Sequence, residues 1–248
     1  MLNEKTRLGA RGFRCFCENV RHALGAAAMF ATSIAMAMPH TASAASSTIV
    51  VSQIYGAGGN SGATYQNDYV ELFNLSSAPV SISGWSVQYA SATGTGNFSP
   101  VALSGTIPAG GYYLVKLAGG TAGAALPAAD ATGSINMAAG GGKVIVANVA
   151  TGLACNGSST PCSAAQLAQI VDLVGQGAAN FFEGTGAAPA PNTTLADFRA
   201  GNGCTDSDQN NADFSTATPS PRNSASPANP CGGATPTPPS RCRSVALA

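Results

Sequence analysis

Charge is scarce in this chain: Asp, Glu, Lys and Arg make up 9% of its 248 residues, and the formal net charge is zero. Histidine is scarcer still, with only His22 and His40. Both fall in a segment that reads as a removable leader. Without them there is no Ser-His-Asp or Cys-His nucleophile, no His-ligated zinc and no imidazole base. Beyond position 44 the basic residues are Lys116, Lys143, Arg199, Arg222, Arg241 and Arg243, against nine acids. A surface so poor in cations does not neutralise a phosphate backbone, so direct nucleic-acid binding is not expected. The apolar stretch Ala23–Met38 is too short to cross a bilayer comfortably.

What is present begins with that leader. Lys5, Arg7, Arg11, Arg14 and Arg21 precede the apolar stretch, and Ala42-Ser43-Ala44 supplies a small-x-small cleavage site. Residues 1–44 therefore read as a signal peptide cut between Ala44 and Ala45, which implies a secreted, extracellular protein with no membrane attachment after cleavage. The remaining length suits one large all-β domain, 45–231, followed by a Pro/Thr-rich linker and tail, 232–248. In an oxidising compartment Cys155 and Cys162 read as a small loop staple and Cys204 and Cys231 as a longer one. Cys242 is left over.

Asp68–Leu75 and Val80–Tyr89 alternate apolar and polar residues with period 2 and are separated by Ser-Ser-Ala-Pro. Tyr69, Glu71 and Phe73 share one face of the first; Val70, Leu72 and Asn74 share the other. Thr48–Tyr55, Asn97–Leu103, Gly111–Leu117 and Ile170–Val174 read as further strands, and Lys143–Val149 as a central one buried on both faces. Gly105–Gly110 reads as a turn. Ser163 and Gln166 match a capping box that starts a short helix through Ala168, and Thr194–Arg199 reads as another helical turn. From Gly201 to Pro230 the composition predicts a coil that wraps over the fold without extending a sheet. Trp85 is expected in the core. Together these features predict an all-β, two-sheet, immunoglobulin-like sandwich with one or two short helices and a disulfide-tethered, coil-rich C-terminal segment.

Three stretches in order carry a resemblance: Glu71-Leu-Phe-Asn74, Gly84-Trp85, and Pro108-Ala-Gly-Gly-Tyr-Tyr-Leu114, followed by the strand KVIVANV. From about Ser47 to Val174 the chain resembles the lamin tail domain, and the segment from Cys155 to Cys231 looks like its bacterial secreted type. The resemblance implies an immunoglobulin-like β-sandwich. In bacterial proteins such a module often precedes a nuclease domain of the endonuclease/exonuclease/phosphatase type, joined by a Pro/Thr linker.

Few residues offer chemistry. Asp206, Asp208, Asn210 and Asp213 place oxygens at alternating positions like the first half of a calcium loop. The pattern breaks at Asn211, where a turn glycine belongs, and at Ala217, where a bidentate glutamate belongs. Calcium at these four residues and a solvated Asx turn are the competing readings. Asp68 and Glu71 lie three apart on a strand and point to opposite faces, which prevents cooperation. A glycosidase pair involving Asp172 or Glu183 stays open. AAGGGKV lacks phosphate-loop spacing and precedes a strand. The expected function is a secreted, non-catalytic module that binds or scaffolds a protein or cell-surface polymer, with no catalytic residues and no cofactor other than calcium. The alternatives are the accessory part of a secreted nuclease whose catalytic domain is absent, and a calcium-stabilised adhesion module.

Overall fold

The computed structural model describes residues 46–232. The strands are β1 (Ile49–Tyr55), β2 (Asn67–Asn74), β3 (Val80–Ser81), β4 (Ser86–Ser91), β5 (Ser99–Ala102), β6 (Thr106–Ile107), β7 (Tyr112–Gly119), β8 (Ala131–Thr132) and β9 (Gly142–Ala147). A short helix α1 (Ala164–Leu167) precedes β10 (Ile170–Gly175) and β11 (Ala196–Arg199), and a second, α2 (Asn210–Asp213), leads into β12 (Phe214–Ala217). One six-stranded sheet runs β12-β11-β1-β2-β7-β8 and a four-stranded sheet runs β10-β9-β4-β5, while β3 and β6 form a two-stranded ribbon. All pairings are antiparallel except β7 with β8.

The alternation in the sequence decides which side chains meet between the sheets. Val70 and Leu72 of β2, with Tyr113 and Val115 of β7, pack against Val87, Val144, Val146 and Val174 of the other sheet. Along β1, Val51 and Ile54 both join this core although they stand three apart. The register shift between Val51 and Gln53 makes that possible, since one extra residue restores the inward face. β9 lies between β10 and β4 and is buried along its whole length, as a central two-sided strand requires. Trp85 packs half-buried against the core edge. Ser163 caps α1 with both bonds of the capping box in place.

The outward faces are covered too. Tyr55, Tyr69 and Leu114 form an aromatic-rich cluster outside the six-stranded sheet, and Val50, Phe73 and Tyr112 form another against Cys204. On the four-stranded sheet, Ile145, Leu173 and Phe181 pack beneath the Cys155–Cys162 loop.

Four expectations need correction. Val80–Tyr89 is not one strand: β3 stays with β6, Gly84 turns the chain at φ +83°, and β4 enters the opposite sheet. Gly105–Gly110 is more than a turn, because Thr106 and Ile107 pair with Ser81 and Val80. Thr194–Arg199 contains the strand β11, since pairing with β1 on one side and β12 on the other outweighs its local helical preference. The C-terminal coil also extends a sheet after all, through β12 at the edge.

Two disulfides, Cys155–Cys162 and Cys204–Cys231, close these coverings. The second spans 27 residues, and Gly203 beside it has φ +107°, where an added Cβ would lie 2.6 Å from the Phe73 ring. Replacing Cys204 and Cys231 with serine should therefore destabilise the domain by about 3 kcal/mol, mainly by releasing a loop in the unfolded chain. Urea unfolding of the two proteins checks this; equal midpoints would show that the tail contributes nothing to the fold.

Candidate functional site

The ladder between β1 and β11 pairs Gln53 with Phe198 and Ile54 with Asp197. At Val51 side chains take over from strand backbone. The Val51 N–H donates to Asp172 Oδ2 at 2.6 Å, and its carbonyl accepts from Arg199 Nε at 2.8 Å. Asp172 comes from β10 in the opposite sheet, and Arg199 Nη2 donates to both of its oxygens, at 2.9 and 3.0 Å. Arg199 Nη1 donates to Asp206 Oδ1 at 2.7 Å, and Asp213 stands 3.7 Å away. The guanidinium also lies over the Phe214 ring, 4.7 Å from its centre. One buried arginine thus joins the two sheets to the C-terminal segment.

Glu183 and Asn210 extend this node. Asn210 Oδ1 accepts from the Gly175 and Glu183 N–H groups, and its Nδ2 donates to the Leu173 carbonyl and to Glu183 Oε2. Glu183 Oε1 accepts from Leu173 N–H at 3.2 Å. Asp172, Glu183 and Asp206 each bring one oxygen within 4.8 Å of the others. Burial, reinforced by the charges of Asp172 and Asp206, pushes the Glu183 pKa up to about 10. Burial also raises Asp172 to about 6, against the pull of Arg199.

The four residues singled out as a calcium loop separate here. Asp206 joins the trio. Asp208 adopts φ +54°, and its buried Oδ1 has no hydrogen-bond partner. The Asn210 side chain is committed to the contacts just described. Asp213 accepts from Ser207 N–H, Ser207 Oγ and Gln209 N–H, capping the turn before α2. Arg199 escaped the sequence reading because nothing local marks it. Asp172 and Glu183 were visible there only as isolated carboxylates, with no sign that they converge.

The chain matches the model of the lamin tail domain over residues 42–176, more than half its length. This protein belongs to the lamin tail domain family. No curated protein matches it.

In this lamin tail domain, the Glu71-Leu-Phe-Asn strand puts its glutamate on the outer face, fully buried beneath the C-terminal segment. Glu71 accepts from Ser52 Oγ at 2.6 Å, from Arg222 N–H at 2.6 Å and from Arg222 Nη2 at 2.7 Å. The Arg222 guanidinium stacks 3.9 Å from the centre of the Tyr112 ring. Asp68 faces elsewhere and accepts from the Gly58 and Met137 N–H groups, both at 2.8 Å. A cleft of about 480 Å³ opens beside β5, the edge strand of the four-stranded sheet, lined by Tyr89, Ser91, Asn97, Ser99 and Asn136 among others.

Replacing Arg199 with methionine should cost about 3–5 kcal/mol, because Asp172 and Asp206 would be left buried without their cation. Urea unfolding measures this; a loss below about 1 kcal/mol would rule out the node as a structural keystone.

A pH dependence follows from two acids away from this node. Burial raises Asp68 to about 6 and Asp197 to about 7. Each binds its proton more tightly in the folded chain than in the unfolded one, where carboxyls titrate near 4. Their contribution is therefore full below about pH 4 and is lost as pH rises through 6 and 7. Thermal unfolding should show lower stability at pH 8 than at pH 5, with a shallower slope in Asp197→Asn.

Proposed function

We propose that this lamin tail domain is a secreted, non-catalytic module that docks a protein or a cell-surface polymer through its loops and sheet edge. One observation carries this reading. Among the described residues, the carboxylates with strongly raised pKa, Asp68, Asp172, Glu183 and Asp197, are all buried. The cleft beside β5 instead offers hydroxyls, amides and an aromatic ring. Those groups suit recognition, because hydroxyls and amides both donate and accept while the ring supplies contact area. An acid–base reaction on a substrate needs a titrating group within hydrogen-bond reach, and Asp172 and Glu183 lie where a glycosidic bond does not reach them. Two disulfides support an oxidising compartment and hence export.

A second reading, the accessory part of a secreted nuclease, draws on the sequence after the fold. Past Cys231, GGATPTPPS has the composition of a linker between modules.

Purified protein should not hydrolyse DNA, RNA or phosphate esters with magnesium or calcium present; robust turnover would refute the non-catalytic reading. Capture from the extracellular fraction of the producing cells, or on their insoluble surface polymer, should weaken at least tenfold in Asn97→Arg/Asn136→Arg. Both side chains are exposed, so stability should change by no more than about 0.5 kcal/mol. Undiminished capture would move the docking surface away from the cleft.

A further inference from the structure

Five carboxylates, those of Asp172, Glu183, Asp206, Asp208 and Asp213, act on a single guanidinium, Arg199. One cation among five carboxyl groups in a largely buried region leaves charge that is relieved either by a bound proton, as the raised pKa of Glu183 provides, or by another positive species. Asp206 marks where it would sit. Its side chain keeps only 5% of its exposure, its Oδ1 is held by Arg199, and its Oδ2 has no hydrogen-bond partner. The same carboxylate brings an oxygen to within 4.8 Å of oxygens from Asp172 and Glu183. The buried Oδ1 of Asp208, two residues on, is likewise unpartnered.

We infer that Asp172, Glu183 and Asp206 form a divalent-cation site that takes calcium, with Asp208 adding charge at its entrance. The donors are all oxygen, which excludes the soft, sulfur- and imidazole-seeking metals. Two ligands of one calcium ion, each about 2.4 Å from it, lie no more than about 4.8 Å apart, and the trio meets that limit. Magnesium sheds its water reluctantly and is usually held by one or two carboxylates together with several waters, so a set of three protein carboxylates suits it less well. Entry would lie through the Thr205–Asp208 turn, where Thr205 and Ser207 are exposed, while the Asp206 side chain itself is buried. Calcium there would tie β10 and the segment around Glu183 to the C-terminal tail, alongside Arg199. With three protein carboxylates and a neighbouring guanidinium, the affinity belongs with extracellular modules, at a Kd of about 10⁻⁴–10⁻³ M. This site stands or falls independently of the docking surface.

The test uses the full secreted protein, stripped with a chelator and titrated with calcium chloride in a calorimeter and by thermal unfolding. Saturable binding of one ion per chain is expected, with a rise of about 5–10 °C at calcium a hundredfold above Kd. Magnesium chloride at equal concentration should produce a much smaller rise. Glu183→Gln keeps the side-chain shape and one of the two accepting oxygens, gives up the bond from either Leu173 N–H or Asn210 Nδ2, and removes the carboxylate that a cation would bind; it should abolish the calcium-specific rise. If that variant does not fold, Asp208→Asn on the turn should weaken binding severalfold. No heat and no thermal shift in the unaltered protein overturns the site. So does an equal response to magnesium, or an undiminished calcium response in Glu183→Gln or, where that does not fold, in Asp208→Asn.

Discussion

The fold depends on an ion pair that does the work of a strand. Where the β1–β11 ladder stops, Val51 still presents a buried N–H and a buried carbonyl, and neither can be left without a partner in an apolar interior. Asp172 and Arg199 supply both partners while bonding to each other, so one contact closes two backbone groups and neutralises two charges. Asp172 belongs to one sheet and Arg199 to the other, so the same contact also fixes how they meet at this end of the sandwich. A hydrophobic pair of similar volume would pack as well but would leave Val51 unsatisfied. That is a physical reason for keeping charge inside a chain that carries so little of it.

The legible part of the fold was local. β2 and β7 could be read from their alternating faces and β9 from its unbroken apolar run, because each of these signals lies within the strand itself. The capping box of α1 was equally plain, since both of its bonds lie within four residues. Illegible were the features whose cause lies far along the chain. β11 looks helical until β1 and β12 pair with it, and β12 hides in a polar stretch where only Phe214 signals burial. The period-2 reading placed Tyr69, Glu71 and Phe73 together on one face of β2. What it lacked was the cover: Arg222, more than a hundred residues away, turns that face into interior.

The candidate site was legible to about the same depth. Oxygen-rich spacing drew attention to Asp206, Asp208, Asn210 and Asp213, but spacing says nothing of what each side chain meets. Asn210 is spent on Leu173, Gly175 and Glu183, and Asp213 on its own turn, so a pattern that looks like one site serves three purposes. Asp172 and Glu183 stand too far from Asp206 in sequence for any motif to unite them. Only the return of the C-terminal segment across β10 brings the three together.

That return also bears on where the domain ends. The family match stops at residue 176, after β10. Yet Glu183, Asp197, Arg199, Asp206, Asn210, Asp213 and Arg222, which close the buried polar network, all come later. Cut at 176, β1 would lose its partner β11 and become a bare edge, and Asp172 would lose its arginine. Glu71 would lose the guanidinium that opposes its burial. Buried carboxylates without partners cost several kcal/mol each, comparable to the whole stability of a domain. The segment from 177 to 231 is therefore the completing part of the sandwich in this protein, and its disulfide holds in place residues on which the sandwich interior already depends.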